Sequence, residues 1–164
     1  MAADHPSRAA VEQLRDELRL TRAALDRIAA ECAAVGARHA DVPPDIVTLY
    51  GAGALLHGYY TAIERFLQVV ARDFNSEPPQ GPDWHRRLLV AAASERPGRR
   101  PPVIRPGTAT VLDRYVRFRH LFRNLYVFQL DWAELRPLID GLSAVHGLAG
   151  ADLSAFDDFL RALF

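Results

Sequence analysis

The sequence contains no lysine, although it carries twenty basic side chains, all of them arginine. Twenty acidic residues balance them, so the formal net charge is zero. This balance argues against a protein that coats a polyanion over its whole surface, and any attraction to nucleic acid must be local. Genomic base composition is a sufficient cause of the arginine bias. Its chemical consequence remains that every cation is a planar guanidinium suited to phosphate.

Cysteine and long hydrophobic runs are also scarce. Cys32 stands alone, so no intramolecular disulfide can form, which fits a reducing compartment. No stretch approaches 18 uninterrupted apolar residues, and the N-terminal segment lacks the apolar core of a signal peptide. We therefore expect a cytoplasmic protein without a membrane span. The length of 164 residues is sufficient for one hydrophobic core, and we expect a single domain over residues 1–164.

Apolar positions recur three and four residues apart along most of the chain, and no run of any length alternates with a period of two. This spacing predicts a first helix with Ser7 as its N-cap and Gly36 as its stop. A second helix is predicted over residues 45–74. A third is predicted over residues 84–95, with Asp83 as its cap.

The segment that follows, residues 95–108, is dense in proline, glycine and arginine and predicts a connection without long regular structure. Its arginines have two interpretations: a mobile arm that clamps nucleic acid, or a rigid spacer with solvated side chains. The prolines and the lack of interleaved aromatic residues favour the spacer. The arginines concerned are Arg96, Arg99, Arg100 and Arg105.

A fourth helix is predicted to begin at Thr108 or Thr110 and to end near Gln129. A fifth is predicted after its cap, Asp131, and glycines 147 and 150 are expected to break it before a terminal helix. The chain is thus predicted to be all-α, an antiparallel bundle of five to six helices with short connections.

The fourth helix carries an unusual density of polar residues. At 100° per residue, its predicted apolar arc contains Val111, Phe118, Leu121, Phe122 and Leu125. One neighbouring polar stripe contains Arg119, Arg123 and Tyr126. A second contains Asp113, Arg117, His120 and Asn124. We therefore expect this helix to bury one side and to present both polar stripes.

Charge is distributed unevenly between this helix and the rest of the chain. Residues 96–126 contain eight arginines and one acid, a balance of +7. Residues 131–164 contain six acids and two arginines, a balance of −4. The basic segment suits a phosphate-bearing ligand, or else the acidic segment packs beside it and neutralises it with nothing bound. Composition alone supports these two interpretations about equally.

Other polar residues do not assemble a recognisable site. No pair of histidines has metal-ligand spacing with a carboxylate nearby, so neither a metal nor a cofactor is predicted. Three histidines are interpreted as surface or packing residues: His57, His85 and His146. Three residues of the second helix are assigned to core packing, with a buried hydroxyl bond: Tyr59, Tyr60 and Glu64.

Residues 118–135, FRHLFRNLYVFQLDWAEL, resemble the signature of HepT-like proteins of the HEPN superfamily, the ribonuclease toxins of minimal-nucleotidyltransferase toxin–antitoxin pairs. The resemblance extends upstream through LLHGYYTAIERFLQVVARDF, PPQGPDWHRRLL and ERPGRRPPVI, so it covers about residues 49–135 in order. It implies a helical bundle that forms a homodimer. The motif helices of the two subunits would face one another across an RNA-binding cleft.

The family motif is an arginine, four residues, a histidine, one residue and a tyrosine. In this chain Arg119 is the arginine, His120 the polar residue after it, and Tyr126 the tyrosine, whereas Asn124 stands at the histidine position. By resemblance, catalysis is metal-independent: the RNA 2′-hydroxyl attacks the adjacent phosphate, Arg119 stabilises the charge, and the histidine transfers protons. Asparagine cannot transfer a proton. Therefore His120, which also follows Arg114 in a looser motif, replaces the histidine, or the reaction is slowed, or only RNA binding remains.

The resemblance implies further roles around the motif. Arg117 and Arg123 are expected to bind RNA, with transfer RNA as a substrate class. The nucleotidyltransferase antitoxin of a type VII-like system is expected to transfer AMP to Tyr126 and so silence the toxin. Two other interpretations remain. One is a non-catalytic helical partner that helps a nucleotidyltransferase present its substrate, and the other is a structural bundle whose basic strip is closed by its own acidic segment.

Overall fold

The computed structural model describes residues 6–74, 79–126 and 129–164, which form five α-helices. They are α1 (Arg8–Arg38), α2 (Ile46–Phe74), α3 (Trp84–Ala92), α4 (Pro106–Arg123) and α5 (Trp132–Ala162). Within these ranges the only β-type pairing is an isolated bridge between Arg96 and Arg100. The prediction of an all-α bundle is confirmed.

The central helix of the bundle is α2, which packs against each of the other four helices. Two adjacent residues of α2, Tyr59 and Tyr60, are both fully buried. Neighbouring side chains on a helix point about 100° apart, so α2 is covered on more than one side. The long helices α1 and α5 pack against α2 and against each other, and α3 and α4 form a second pair against it.

The first helix begins as predicted and ends later. The Ser7 hydroxyl caps α1 by accepting a backbone N–H bond of 3.2 Å. The prediction that Gly36 ends the helix is wrong, because α1 continues to Arg38. A Cβ atom at position 36 would lie 3.1 Å from Ile139 Cγ2, so this glycine allows α1 and α5 to approach closely.

The second helix matches its predicted bounds to within one residue, and the third is shorter than predicted. α3 ends at Ala92, three residues early. Asp83 occupies the N-cap position but makes no side-chain capping bond. At the C-terminal end of α3, the Arg100 guanidinium donates to the carbonyls of Ala91 and Ser94 at 2.9 and 3.0 Å.

The connection between α3 and α4 is held by its arginines. Arg100 is 3% exposed, and burial lowers its pKa to about 10. Arg99 donates to the Phe74 carbonyl at 3.2 Å, and Arg105 forms a salt bridge with Asp152 of α5. Arginines that are held by these bonds within the protein cannot also move as an arm that closes around a ligand. The structure therefore favours the rigid spacer over the mobile arm.

The end of α4 differs most from its prediction. The helix ends at Arg123, with Asn124 as its C-cap, and does not extend to Gln129. The Tyr50 hydroxyl explains the early end, because it donates to the Tyr126 carbonyl at 3.0 Å and accepts the Gln129 N–H at 3.2 Å. These bonds hold the chain after α4 outside the helix, so Tyr126 does not share a helical stripe with Arg123.

The start of α4 and the length of α5 also differ from prediction. α4 begins at Pro106, before Thr108 and Thr110, because proline suits the first helical position. α5 continues unbroken through Gly147 and Gly150. Each glycine costs roughly 1 kcal/mol relative to alanine, and burial of apolar residues on both sides of them offsets that cost. These residues are Leu142, Val145, Ala149, Leu153 and Phe156.

Candidate active site

The fourth helix buries most of the predicted apolar face, since Phe118 is buried and Val111, Phe122 and Leu125 are half-buried against the core. Its buried residues are Thr108, Leu112, Tyr115, Val116, Phe118 and Arg119. Leu121, expected in the apolar arc, is 49% exposed, whereas Arg119, expected in a polar stripe, is only 8% exposed. The predicted position of Arg119 is wrong because α2 supplies a charged partner inside the bundle.

That partner is Glu64, which is itself only 3% exposed. Its Oε1 lies 3.2 Å from Arg119 Nη2, and its Oε2 lies 2.5 Å from His85 Nδ1. One carboxylate thus joins α2, α3 and α4. A carboxylate at such a position needs these partners, since an isolated buried charge is strongly unfavourable.

Two imidazole rings, those of His85 and His120, lie edge to face next to this carboxylate. His85 is 7% exposed and His120 is exposed, and their ring centroids are 4.9 Å apart with an angle of 81° between the planes. Partial burial lowers the pKa of His120, and the nearby charges of His85 and Arg119 lower it further. At neutral pH the His120 ring is therefore mostly uncharged and can accept a proton.

Four buried polar atoms of this region have no hydrogen-bond partner among the described residues: Arg119 Nε, Arg119 Nη1, His57 Nε2 and the Tyr60 hydroxyl. Two of these residues lie on α2 at helical spacing with Glu64, so they share one face of that helix. Burial lowers the pKa of His57, and the charges of Arg119 and Arg123 lower it further. Buried polar atoms without partners are unfavourable, so a water molecule or a polar ligand atom that reached them would stabilise the protein.

The side chain of Asn124 closes the end of α4. Its Nδ2 donates to the His120 carbonyl at 2.8 Å, and its backbone N–H donates to the Leu121 carbonyl at 3.0 Å. The Asn124 side chain therefore contacts the backbone of His120, one turn earlier. The amide of Asn124 fixes the helix end that carries His120 and cannot itself exchange a proton with a substrate.

Tyr126 lies beyond the helix end with 79% of its surface exposed. Its backbone N–H donates to Gln129 Oε1 at 2.8 Å, and its carbonyl accepts the Tyr50 hydroxyl. The backbone is thus held on both sides while the phenol ring extends outward. This geometry leaves the hydroxyl accessible to another protein.

Arg117 and Arg123 are both exposed on α4. Arg117 forms a salt bridge of 2.8 Å with Asp113, one turn earlier on the same helix. A groove of about 860 Å³ between α3 and α4 is lined in part by Arg86, Arg114 and Arg117. The carboxylate that pairs with Arg117 therefore belongs to α4, not to the acidic segment 131–164.

Sequence reasoning did not identify Glu64 and His85 as site residues. The assignment of Tyr59 to a buried hydroxyl bond is confirmed, since its hydroxyl lies 3.0 Å from His146 Nδ1. The same assignment is wrong for Tyr60, whose buried hydroxyl has no partner in the described part of the chain. One signal was available in the sequence: a glutamate between buried apolar neighbours on α2 requires a cation or donor from another element.

Among the residues that the structure describes, no group of three or more His, Cys, Asp or Glu side chains is placed to hold a metal ion. In the same residues, no helix is both long and apolar enough to cross a membrane.

Comparison with known proteins identifies the family. No curated protein and no solved structure matches the chain. The family model described as HepT-like protein matches residues 51–160. The matched region contains the carboxylate, the two neighbouring imidazoles and the buried arginine described above. The chain therefore belongs to the HepT-like family of the HEPN superfamily.

Proposed function

We propose that the protein is a metal-independent endoribonuclease, the toxin of a type VII-like pair with a nucleotidyltransferase antitoxin. The observation that carries this proposal is that Arg119 is fixed by one partner and keeps nitrogen atoms without one in the described part of the chain. Glu64 holds its Nη2, while Nε and Nη1 have no partner among the described residues. A fixed guanidinium with two unused donors suits a phosphate whose negative charge increases during the reaction. Family membership supports the same function.

The proposed reaction is attack of a ribose 2′-oxygen on the adjacent phosphorus. The 2′-hydroxyl requires a base, and His120 suits that role because its ring is exposed and its pKa is lowered by partial burial. Asn124 has an orienting role in this proposal, since its bond to the His120 carbonyl fixes the end of α4. Arg119 stabilises the phosphorane-like charge.

RNA binding is assigned to the exposed arginines of α4. Arg117 lines the groove between α3 and α4, and Arg123 is the last residue of α4, three positions before Tyr126. Transfer RNA is the proposed substrate class, on the strength of the family resemblance. The exposed Leu121 on the same helix offers an apolar contact for a second copy. A cytoplasmic homodimer that pairs its α4 helices would join two basic surfaces into one cleft.

Regulation by AMPylation is assigned to Tyr126. Its hydroxyl oxygen would attack the α-phosphorus of ATP, form a phosphodiester with AMP and release pyrophosphate. The adduct adds a negative charge near Arg123 and would compete with RNA phosphate for the neighbouring arginines. Incubation with the antitoxin and labelled ATP should label the wild type but not Tyr126→Phe. The buried Tyr115→Phe serves as control and should be labelled like the wild type.

The direct test is cleavage of total RNA by the purified protein in EDTA. We expect the wild type to cleave and Arg119→Lys to lose at least about 100-fold in rate, because lysine keeps the charge opposite Glu64 but lacks the two spare donors. The matched control is Arg136→Lys, an exposed arginine of α5 paired with Asp140, which should cleave like the wild type. Activity that disappears in EDTA would contradict the metal-independent mechanism.

A second function is favoured by Asn124 at the histidine position of the motif. In that case the chain is a non-catalytic partner that helps a nucleotidyltransferase bind its substrate. A folded, unmodified protein that binds RNA or the transferase without cutting RNA would support this alternative. Growth arrest on expression without the transferase would support the ribonuclease.

A further inference from the structure

We propose that His85 is a second catalytic imidazole, which donates a proton to the leaving 5′-oxygen while His120 accepts the proton of the 2′-hydroxyl. This inference rests on the proposed ribonuclease function. It accounts for both proton transfers in a chain that has Asn124 where the motif has histidine. His85 comes from α3, outside the motif helix.

The orientation of His85 is fixed by Glu64. His85 Nδ1 lies 2.5 Å from Glu64 Oε2, so Nδ1 carries a hydrogen and Nε2 is the nitrogen left for a substrate. Nε2 has no hydrogen-bond partner among the described residues. A carboxylate that fixes the tautomer and the ring orientation is the arrangement found behind proton-transferring histidines in many enzymes.

The rings of His85 and His120 are close enough to act on the same phosphate. With centroids 4.9 Å apart and nearly perpendicular planes, the rings of His85 and His120 can approach one phosphate from different directions. The ring of Trp84 also packs against His85, with centroids 3.6 Å apart, and restricts its movement. The proposed base is the exposed ring of His120, and the proposed acid is the ring of His85, which Glu64 holds.

The same carboxylate also holds the phosphate-stabilising group. Glu64 contacts Arg119 through Oε1 and His85 through Oε2, so it is a positioning residue for both. The unpaired Nε and Nη1 of Arg119 therefore lie in the same network as the two imidazoles. Phosphate binding and proton transfer are brought together by one side chain of α2.

The reaction balances with these groups alone. His120 takes the proton of the 2′-hydroxyl, and the 2′-oxygen forms a bond to phosphorus. The bond between phosphorus and the 5′-oxygen breaks, and that oxygen takes the Nε2 proton of the His85 imidazolium, whose Nδ1–H remains paired with Glu64. The products are a 2′,3′-cyclic phosphate and a 5′-hydroxyl. Proton exchange with water restores His85 to the charged and His120 to the neutral form.

The test compares two RNAs of one sequence, with either oxygen or sulfur at the 5′-bridging position of the mapped cleavage site. A thiolate leaves without protonation, so the sulfur substrate bypasses only the step assigned to His85. His85→Asn retains a donor for Glu64 at the Nδ1 position but has no Nε2. We expect it to cleave ordinary RNA at least about 100-fold more slowly than the wild type, and the sulfur RNA within a few-fold of it. His120→Asn should be slow on both.

The matched control is His146→Asn, which removes a partly buried histidine paired with Asp26 elsewhere in the bundle. It should cleave both RNAs like the wild type, and His85→Asn should bind uncleaved RNA with wild-type affinity. Wild-type rates for His85→Asn on ordinary RNA would overturn the inference. So would an equal loss on both RNAs, which indicates a structural role. A wild type that cleaves neither RNA would instead overturn the ribonuclease function itself.

Discussion

Two hydrogen-bonded networks leave α2 in different directions, and they differ in how completely their polar atoms are paired. In the network towards α1 and α5, the Tyr59 hydroxyl lies 3.0 Å from His146 Nδ1, and His146 Nε2 lies 2.9 Å from Asp26. Each imidazole nitrogen has a partner. The Asp26 side chain is 71% exposed, so water can satisfy the remaining hydrogen-bond acceptors of its carboxylate.

In the network towards α3 and α4, Glu64 pairs with both His85 and Arg119, and all three side chains are almost fully buried. Arg119 nevertheless keeps two donors, and Tyr60 a hydroxyl, without a partner in the described part of the chain. An unsatisfied buried group costs about 1–3 kcal/mol, so a network that served stability alone would pair these atoms. The difference is the one expected if the first network stabilises the bundle and the second receives a ligand.

The largest contrast is expected from removing each carboxylate. Glu64→Ala leaves the Arg119 charge buried without its partner and should lower the free energy of unfolding by about 3–5 kcal/mol. Asp26→Ala removes an exposed carboxylate and should cost less than about 1 kcal/mol. Urea unfolding of both variants measures the two values. Similar losses in the two variants would remove the contrast between the networks.

A smaller contrast is expected from the adjacent tyrosines. Tyr59→Phe removes a hydroxyl that is hydrogen-bonded to His146 and should cost about 1 kcal/mol. Tyr60→Phe removes a buried hydroxyl without a partner among the described residues, so it should leave stability unchanged or raise it. Thermal unfolding of the two variants, side by side, checks the sign of the difference. A greater loss in Tyr60→Phe would mean that its hydroxyl is satisfied in solution.

A still smaller loss is expected at Tyr50, the third tyrosine of α2, which is half-buried. Tyr50→Phe removes the bonds to the Tyr126 carbonyl and to the Gln129 and Leu130 amides. Water can replace part of these bonds, so the expected loss of stability is only about 0.5 kcal/mol. Hydrogen exchange should accelerate at the two amides. Unchanged exchange there would show that Tyr50 does not hold the chain after α4.

The smallest effect is expected from pH. Burial, followed by the charges of Arg119 and Arg123, lowers the pKa of His57 from its ordinary value of 6.5. Below pH 6.5 the unfolded chain therefore binds more protons at this residue than the folded one, and the free energy of unfolding falls with falling pH. Above that value the contribution is complete and constant. His57→Gln should thus lose less stability than the wild type between pH 7.5 and 5.5, as thermal unfolding would measure. An equal or greater loss in the variant would contradict this origin.

Local pattern was sufficient for the helices but not for all of their ends. The bounds of α2 followed from apolar spacing, and the Ser7 cap followed from residue type. The end of α4 depends on Tyr50, whose hydroxyl reaches a carbonyl 76 residues away in sequence. The role of Gly36 could not be predicted from local pattern either, because it is set by the neighbouring helix α5.

The burial of Arg119 on α4 could not be predicted for a related reason. Helical periodicity treats arginine as a residue for the solvent side, and only a carboxylate on another helix turns Arg119 inward. The motif pointed to Arg119, His120, Asn124 and Tyr126, and the roles of these residues stay predictions. His85 lies 35 residues before His120, and their ring contact follows only from the packing of α3 against α4.

The shared carboxylate also has a consequence for local unfolding. α3 has nine residues, too few to be stable as an isolated helix, and His85 links it to the bundle through Glu64. Any opening that detaches α3 must break that bond, and it then leaves Arg119 with a carboxylate that is exposed to water. The opening of α3 and the loss of the site's geometry are therefore one event with one free energy. Mild denaturant should detach α3 and disrupt the site together, before the long helices separate.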